Sequence, residues 1–152
     1  MNHIVVVVTR SISSLVFLLT LVTALHINVA AVAAATFTVT KTADTNDGTC
    51  DADCSLREAV AAANANSGAD TIEFNIPTSD GSYNADNDYF LITLTSLLDL
   101  TDDSGAFING YSQGGASRNT AAFGEPINAK LMIQIQTGTS YIRLNSDNNH
   151  LT

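Results

Sequence analysis

The chain has 152 residues, enough for one domain with a real core. Six Lys and Arg stand against fifteen Asp and Glu, a formal charge of −9, with two cysteines. That balance disfavours nucleic acids and anionic membranes as partners, because both are held by clustered Lys and Arg.

Arg10 is followed by a long apolar run over residues 11–35 that ends in Ala33-Ala34-Ala35. Alanines at 33 and 35 suit the −3 and −1 positions of a signal peptidase site. Residues 1–35 are therefore expected to be a signal peptide cleaved after Ala35, leaving a secreted or cell-surface chain with no membrane span. A retained anchor is the alternative, since the run is long enough to cross a bilayer; His26, Asn28 and the alanine-rich end favour cleavage. Loss of 1–35 removes Arg10 and no acid, so the remainder carries five bases and fifteen acids, a formal charge of −10. Two cysteines in an exported chain favour a disulfide, and Cys50 and Cys54 are near enough to bridge across a tight turn. Metal binding by this pair is the poorer reading, with no second cysteine pair and only His150 left after signal removal.

Residues 36–42 alternate, Phe37 and Val39 on one side and threonines on the other, which predicts a strand with one buried face. The loop 43–53 carries Asp44, Asp47, Asp51 and Asp53. Spaced carboxylates around a glycine turn are Ca²⁺ chemistry, and these four are the candidate ligands. The EF-hand pattern is not met, because Gly48 falls one place early and no Glu closes the loop. The other reading is a solvated loop of Asx turns, with Asp51 and Asp53 near a helix N-terminal dipole.

A short helix is predicted over about 55–66. Ser55 and Glu58 have the spacing of a capping box. Leu56, Ala59, Val60 and Ala63 then share one apolar face. Asn64, Asn66 and Gly68 are stop signals, and Gly68 suits the left-handed position after a helix. Arg57 is expected to pair with an aspartate of the loop rather than to act in catalysis.

Residues 70–76 alternate through Ile72, Phe74 and Ile76, and Pro77 stops the strand. Residues 78–88 read as a polar loop without periodicity. From Phe90 onward short apolar pairs recur: Phe90/Ile92/Leu94, Leu98/Leu100, Ala106/Ile108, Leu131/Ile133/Ile135, Tyr141-Ile142/Leu144 and Leu151. Such strands fit a solenoid of stacked parallel sheets, although no strict internal repeat is visible and a β-sandwich fits the pattern equally. Asp99, Asp102 and Asp103 have the look of a cleft carboxylate group, but no Lys, Arg or His lies within several residues, so turn-forming aspartates are expected.

The run Cys54-Ser55-Leu56-Arg57-Glu58-Ala59-Val60, preceded by Asp44-Thr45-Asn46-Asp47-Gly48-Thr49-Cys50, resembles the CSLREA-type N-terminal region of secreted right-handed parallel β-helix surface proteins. The likeness resumes at Ile108-Asn109-Gly110-Tyr111-Ser112-Gln113 and at Ala116-Ser117-Arg118-Asn119-Thr120. It implies a mainly β fold: an N-terminal cap over 36–89 containing the one short helix, then the first β-helix coils over 90–152. It implies an adhesin-like or structural role at the cell surface, without enzymatic activity, toward a carbohydrate or protein ligand. The alternative is the N-terminal part of a polysaccharide-acting β-helix enzyme, a lyase or glycoside hydrolase, whose catalytic coils lie beyond residue 152. A Ca²⁺-binding extracellular module is a third reading. The ending at His150-Leu151-Thr152, in the middle of a strand pattern, is expected to mark a truncated piece of a longer protein.

Overall fold

The computed structural model describes residues 33–152; residues 1–32 of the expected leader lie outside the described part. Strand dominates, in small sheets, with one helix. β1 (Thr36–Val39) is followed by α1 (Leu56–Ala65), β2 (Asp70–Phe74), β3 (Tyr83–Asn84), β4 (Tyr89–Thr93) and β5 (Leu98–Leu100). Then come β6 (Ala106–Ile108), a 3-10 turn (Gly110–Ser112), β7 (Ile133–Gln136), β8 (Ile142–Leu144) and β9 (His150–Leu151). Among the described residues no helix is long and apolar enough to cross a membrane.

Three sheets are ordered β1-β2-β6-β9, β3-β4-β7 and β5-β8. From β2 onward the chain visits the first, second and third sheets, then repeats that round through β6, β7 and β8 and returns with β9. Strands of successive rounds pair in parallel, and β3 with β4 is antiparallel. Side chains alternate across a strand, so a fixed parallel register puts like residues above one another. Phe37, Ile72, Ile108 and Leu151 form one such column. Phe90 pairs with Ile133, Ile92 with Ile135, Leu98 with Ile142 and Leu100 with Leu144. Ile72, Phe74, Phe90, Ile92, Leu98, Leu100 and Ile108 are buried, whereas Leu144 and Leu151 in the last round are 41% and 50% exposed.

Turn side chains satisfy backbone groups between rounds, as buried amides require. Ser112 Oγ accepts from Phe74 N at 2.7 Å. Gln113 accepts from Ile76 N at 2.9 Å and donates to its carbonyl at 3.0 Å. Asn149 accepts from Ala106 N at 2.7 Å and donates to Leu100 O at 3.0 Å.

Four details differ from the sequence reading. Part of the polar loop 78–88 forms β3, where Tyr83 packs on Phe90 with ring centroids 4.9 Å apart. Leu131 is exposed and Met132 is buried instead, because the β7 ladder begins only at Ile133. Gly68 is not among the glycines with positive φ, and α1 ends on Asn66 in an extended conformation. Close packing against Ala33 accounts for Gly68: a Cβ there would lie 2.1 Å from Ala33 O. Asn64 lies inside α1, facing β5, rather than ending the helix.

Candidate functional site

The start of α1 gathers a dense set of hydrogen bonds. Ser55 is its N-cap: Ser55 Oγ accepts from Glu58 N at 3.1 Å, and the Glu58 carboxylate accepts from Ser55 N at 2.7 Å. Both residues are buried. Ser55 Oγ also donates to Thr45 O at 2.7 Å, while Glu58 Oε1 accepts from Asp47 N at 3.0 Å. Glu58 therefore binds its own helix and the loop before it. The Cys50–Cys54 disulfide closes the same loop, and Thr40 N donates to Cys54 O at 2.8 Å, tying it to the end of β1.

So short a ring, with a separation of four residues, restricts the unfolded chain little. Replacing both cysteines by serine is expected to cost about 2 kcal/mol by the chain-entropy estimate. Urea unfolding of the two forms measures it, and the helix signal should survive in the variant.

Leu56, Ala59, Val60 and Ala63 are buried on one face of α1. Beside that face the polar side chains of Arg57 and Asn64 reach β5 and the residues that flank it. Arg57 Nη1 donates to Leu97 O at 2.9 Å and Nη2 to Ser96 O at 3.1 Å. Asn64 donates to Asp99 O and accepts from Thr101 N, each at 2.8 Å. Asp99 O lies on the edge of β5 that does not face β8, and Ser96, Leu97 and Thr101 flank that strand. Helix side chains thus stand where a neighbouring strand would otherwise bond. The second sheet is covered on the corresponding side by β3, and the first by β1.

Arg57 is held by Asp44 through two bonds of 2.8 and 2.9 Å, a fork on a carboxylate. Asp44 Oδ2 also accepts from Thr95 N and Thr95 Oγ1, each at 2.7 Å. Burial works against ionisation of Asp44, but Arg57 and Thr95 outweigh it and hold the carboxyl below its usual range. Glu58 behaves alike: burial opposes its charge, yet the Ser55 and Asp47 amides, the Ser55 side chain and Lys41 bring it below the ordinary value. Asp80 is also lowered, burial being outweighed by Thr42 and the Ser82 amide.

These shifts fix a pH dependence. A carboxyl whose folded value is depressed stabilises the fold above its unfolded value, and that contribution is lost as pH falls through the folded value. Melting temperature is therefore expected to hold steady near neutrality and to fall once pH drops below about 4, the range where unfolded Asp and Glu take up protons. Glu58→Gln should be less stable at neutral pH and should show a shallower acid limb; an unchanged limb would show that Glu58 carries none of it.

The four aspartates considered for Ca²⁺ are not brought together. Asp44 faces Arg57, and Asp53 pairs with Lys41 at 2.9 Å. Asp47 and Asp51 accept from the amides of Thr49 and Asp53 in local turns. Among the described residues no three His, Cys, Asp or Glu side chains are grouped to hold a metal ion. The short loop spends its carboxylates on neighbouring amides and on cations from outside, which separates them.

Asp99 lies in β5 rather than in the turn expected for it. It meets Arg143 and Asn145, with Arg143 Nε–Oδ1 at 2.9 Å and Asn145 Nδ2–Oδ1 at 2.8 Å. Only the β5–β8 register, which pairs Asp99 with Arg143, reveals that contact. Asp102 is buried, Asp103 is exposed, and His150 sits exposed on β9.

Comparison with protein-family models, with curated proteins and with solved structures finds no match to this chain.

Proposed function

We propose that the chain is an exported, non-enzymatic segment of a right-handed parallel β-helix, adhesive or structural at the cell surface, with residues 36–89 as its N-terminal cap. The observation that carries this reading is the different cover on one side of each sheet: β1 on the first, β3 on the second, α1 side chains on the third. A stack of parallel strands has raw edges at its ends, and unprotected edges recruit other chains. The opposite side carries β7, β8 and β9 with exposed Leu131, Tyr141, Leu144 and Leu151. Further stacked strands, or a ligand-bearing partner, would add there. The disulfide and the acidic composition suit an extracellular protein.

The test is expression of the whole chain with its own leader in an exporting bacterial host. The product is expected outside the cytoplasm, without titratable thiols, and inert toward a panel of polysaccharides. Retention in the cytoplasm with two free thiols would end the reading. Release of new reducing or unsaturated sugar ends would favour the polysaccharide-acting alternative.

A further inference from the structure

Asp70, the first residue of β2, is buried. Its Oδ1 accepts from Ala35 N at 2.8 Å and from Asn66 Nδ2 at 2.7 Å. Its Oδ2 is buried and accepts from nothing among the described residues. None of the ion pairs among the described residues includes Asp70. A buried carboxylate with one bare oxygen and no cation is costly. The nitrogen already beside it belongs to a peptide bond in the alanine stretch where export processing is expected.

We propose that the export cut falls between Ala34 and Ala35, one bond before the position suggested by the alanines at 33 and 35, and that Asp70 receives the α-ammonium so created. The inference rests on the export reading above. Water supplies the step: its oxygen bonds to the Ala34 carbonyl carbon, the C–N bond breaks, and the Ala35 nitrogen takes a proton. At neutral pH the new Ala34 carboxylic acid releases a proton and the Ala35 amine binds one. An amide offers one N–H; an ammonium at the same nitrogen offers three and a positive charge. The existing 2.8 Å separation is that of a charge-assisted hydrogen bond, so the cation reaches the carboxylate without moving the backbone.

The neighbouring bond fits less well. A cut after Ala35 removes the carbonyl that accepts from Thr71 N at 2.9 Å, as well as the Ala35 N–H on Asp70. A cut after Ala34 keeps both and places the small residue Ala34 at −1, with the short branched Val32 at −3 in place of Ala33. Either cut releases Ala33, whose carbonyl accepts from Asn66 Nδ2 at 2.9 Å, and the cut after Ala34 also releases Ala34; their backbone atoms stand where a Cβ on Gly68 would lie. Gly68 has no positive φ, and the three atoms nearest a Cβ at this position belong to Ala33 and Ala34.

Intact mass and N-terminal sequencing of the exported full chain decide the matter. The expected first residue is Ala35. An exported product beginning at Thr36, Ala34 or further upstream overturns this proposal and leaves export standing; a cell-retained product beginning at Met1 overturns both. Acylation of the α-amine at neutral pH reads the ion pair: the folded protein should react several-fold more slowly than the same protein in urea and than Asp70→Asn. Equal rates in the folded and urea-unfolded protein overturn the role of Asp70 even where the variant does not fold.

Discussion

Replacing Leu56 and Val60 together by aspartate is expected to leave no folded, soluble monomer. The two side chains are 1% and 2% exposed and lie on the face of α1 turned to the core. Both belong to the apolar core cluster, and a buried unpaired charge belongs to the rare class of substitutions that cost more than about 4 kcal/mol each. Two of them, at about 8 kcal/mol together, compare with a whole-domain stability of about 5–15 kcal/mol. The damage should also be specific in kind. With α1 displaced, the β5 carbonyls and the apolar interior beneath it are bared together, so the protein should associate as well as unfold. Ala61→Asp, on the exposed face of the same helix, is the control and should behave as the wild type. Size-exclusion chromatography with light scattering, and circular dichroism through a thermal ramp, read both effects. A soluble double variant with an undiminished cooperative transition would sink the reading of α1 as a cover.

What the sequence made legible here is local. The Ser55–Glu58 spacing, the apolar face of α1 and the alternation in β2 depend on residues within a turn or two of one another. Backbone geometry alone brings those residues together. What stayed hidden depends on register. Arg57 had an evident need for a carboxylate, but its bonds to Ser96 and Leu97 arise only once β5 lies against the helix. Asp99 looked like a turn residue with no base nearby, because Arg143 is 44 residues away and arrives through the β5–β8 pairing. Gly68 carried the signal of a helix stop, yet its lack of a side chain serves a close approach of Ala33. The aspartates of the loop carry the same ambiguity: carboxylates that bind a cation and carboxylates that bind amides are the same residues, and only their partners tell them apart.

Arg57→Met is expected to destabilise the fold by about 3 kcal/mol, the low end for breaking a buried pair because Arg57 keeps some exposure. The loss has two parts. Asp44, whose side chain is 2% exposed, loses its cation, and without Arg57 to hold the carboxylate in place its two bonds from Thr95 loosen. At the same time Leu97 O and Ser96 O lose their donors, and the bared β5 edge weakens the contact between helix and sheet. Lysine at this position keeps the charge but not the planar fork, so Arg57→Lys should fall between the two. Asp44→Asn on the Arg57→Met background should recover part of the loss, since no ion is then left unpaired; a double-mutant cycle gives the coupling between the pair. Native-state hydrogen exchange separates this from a general loosening: the Thr95 amide, bonded to Asp44, should lose protection before those of β2. If Arg57→Met costs no more than about 0.5 kcal/mol, the usual range for a surface change, the helix does not hold the strand edge through this residue.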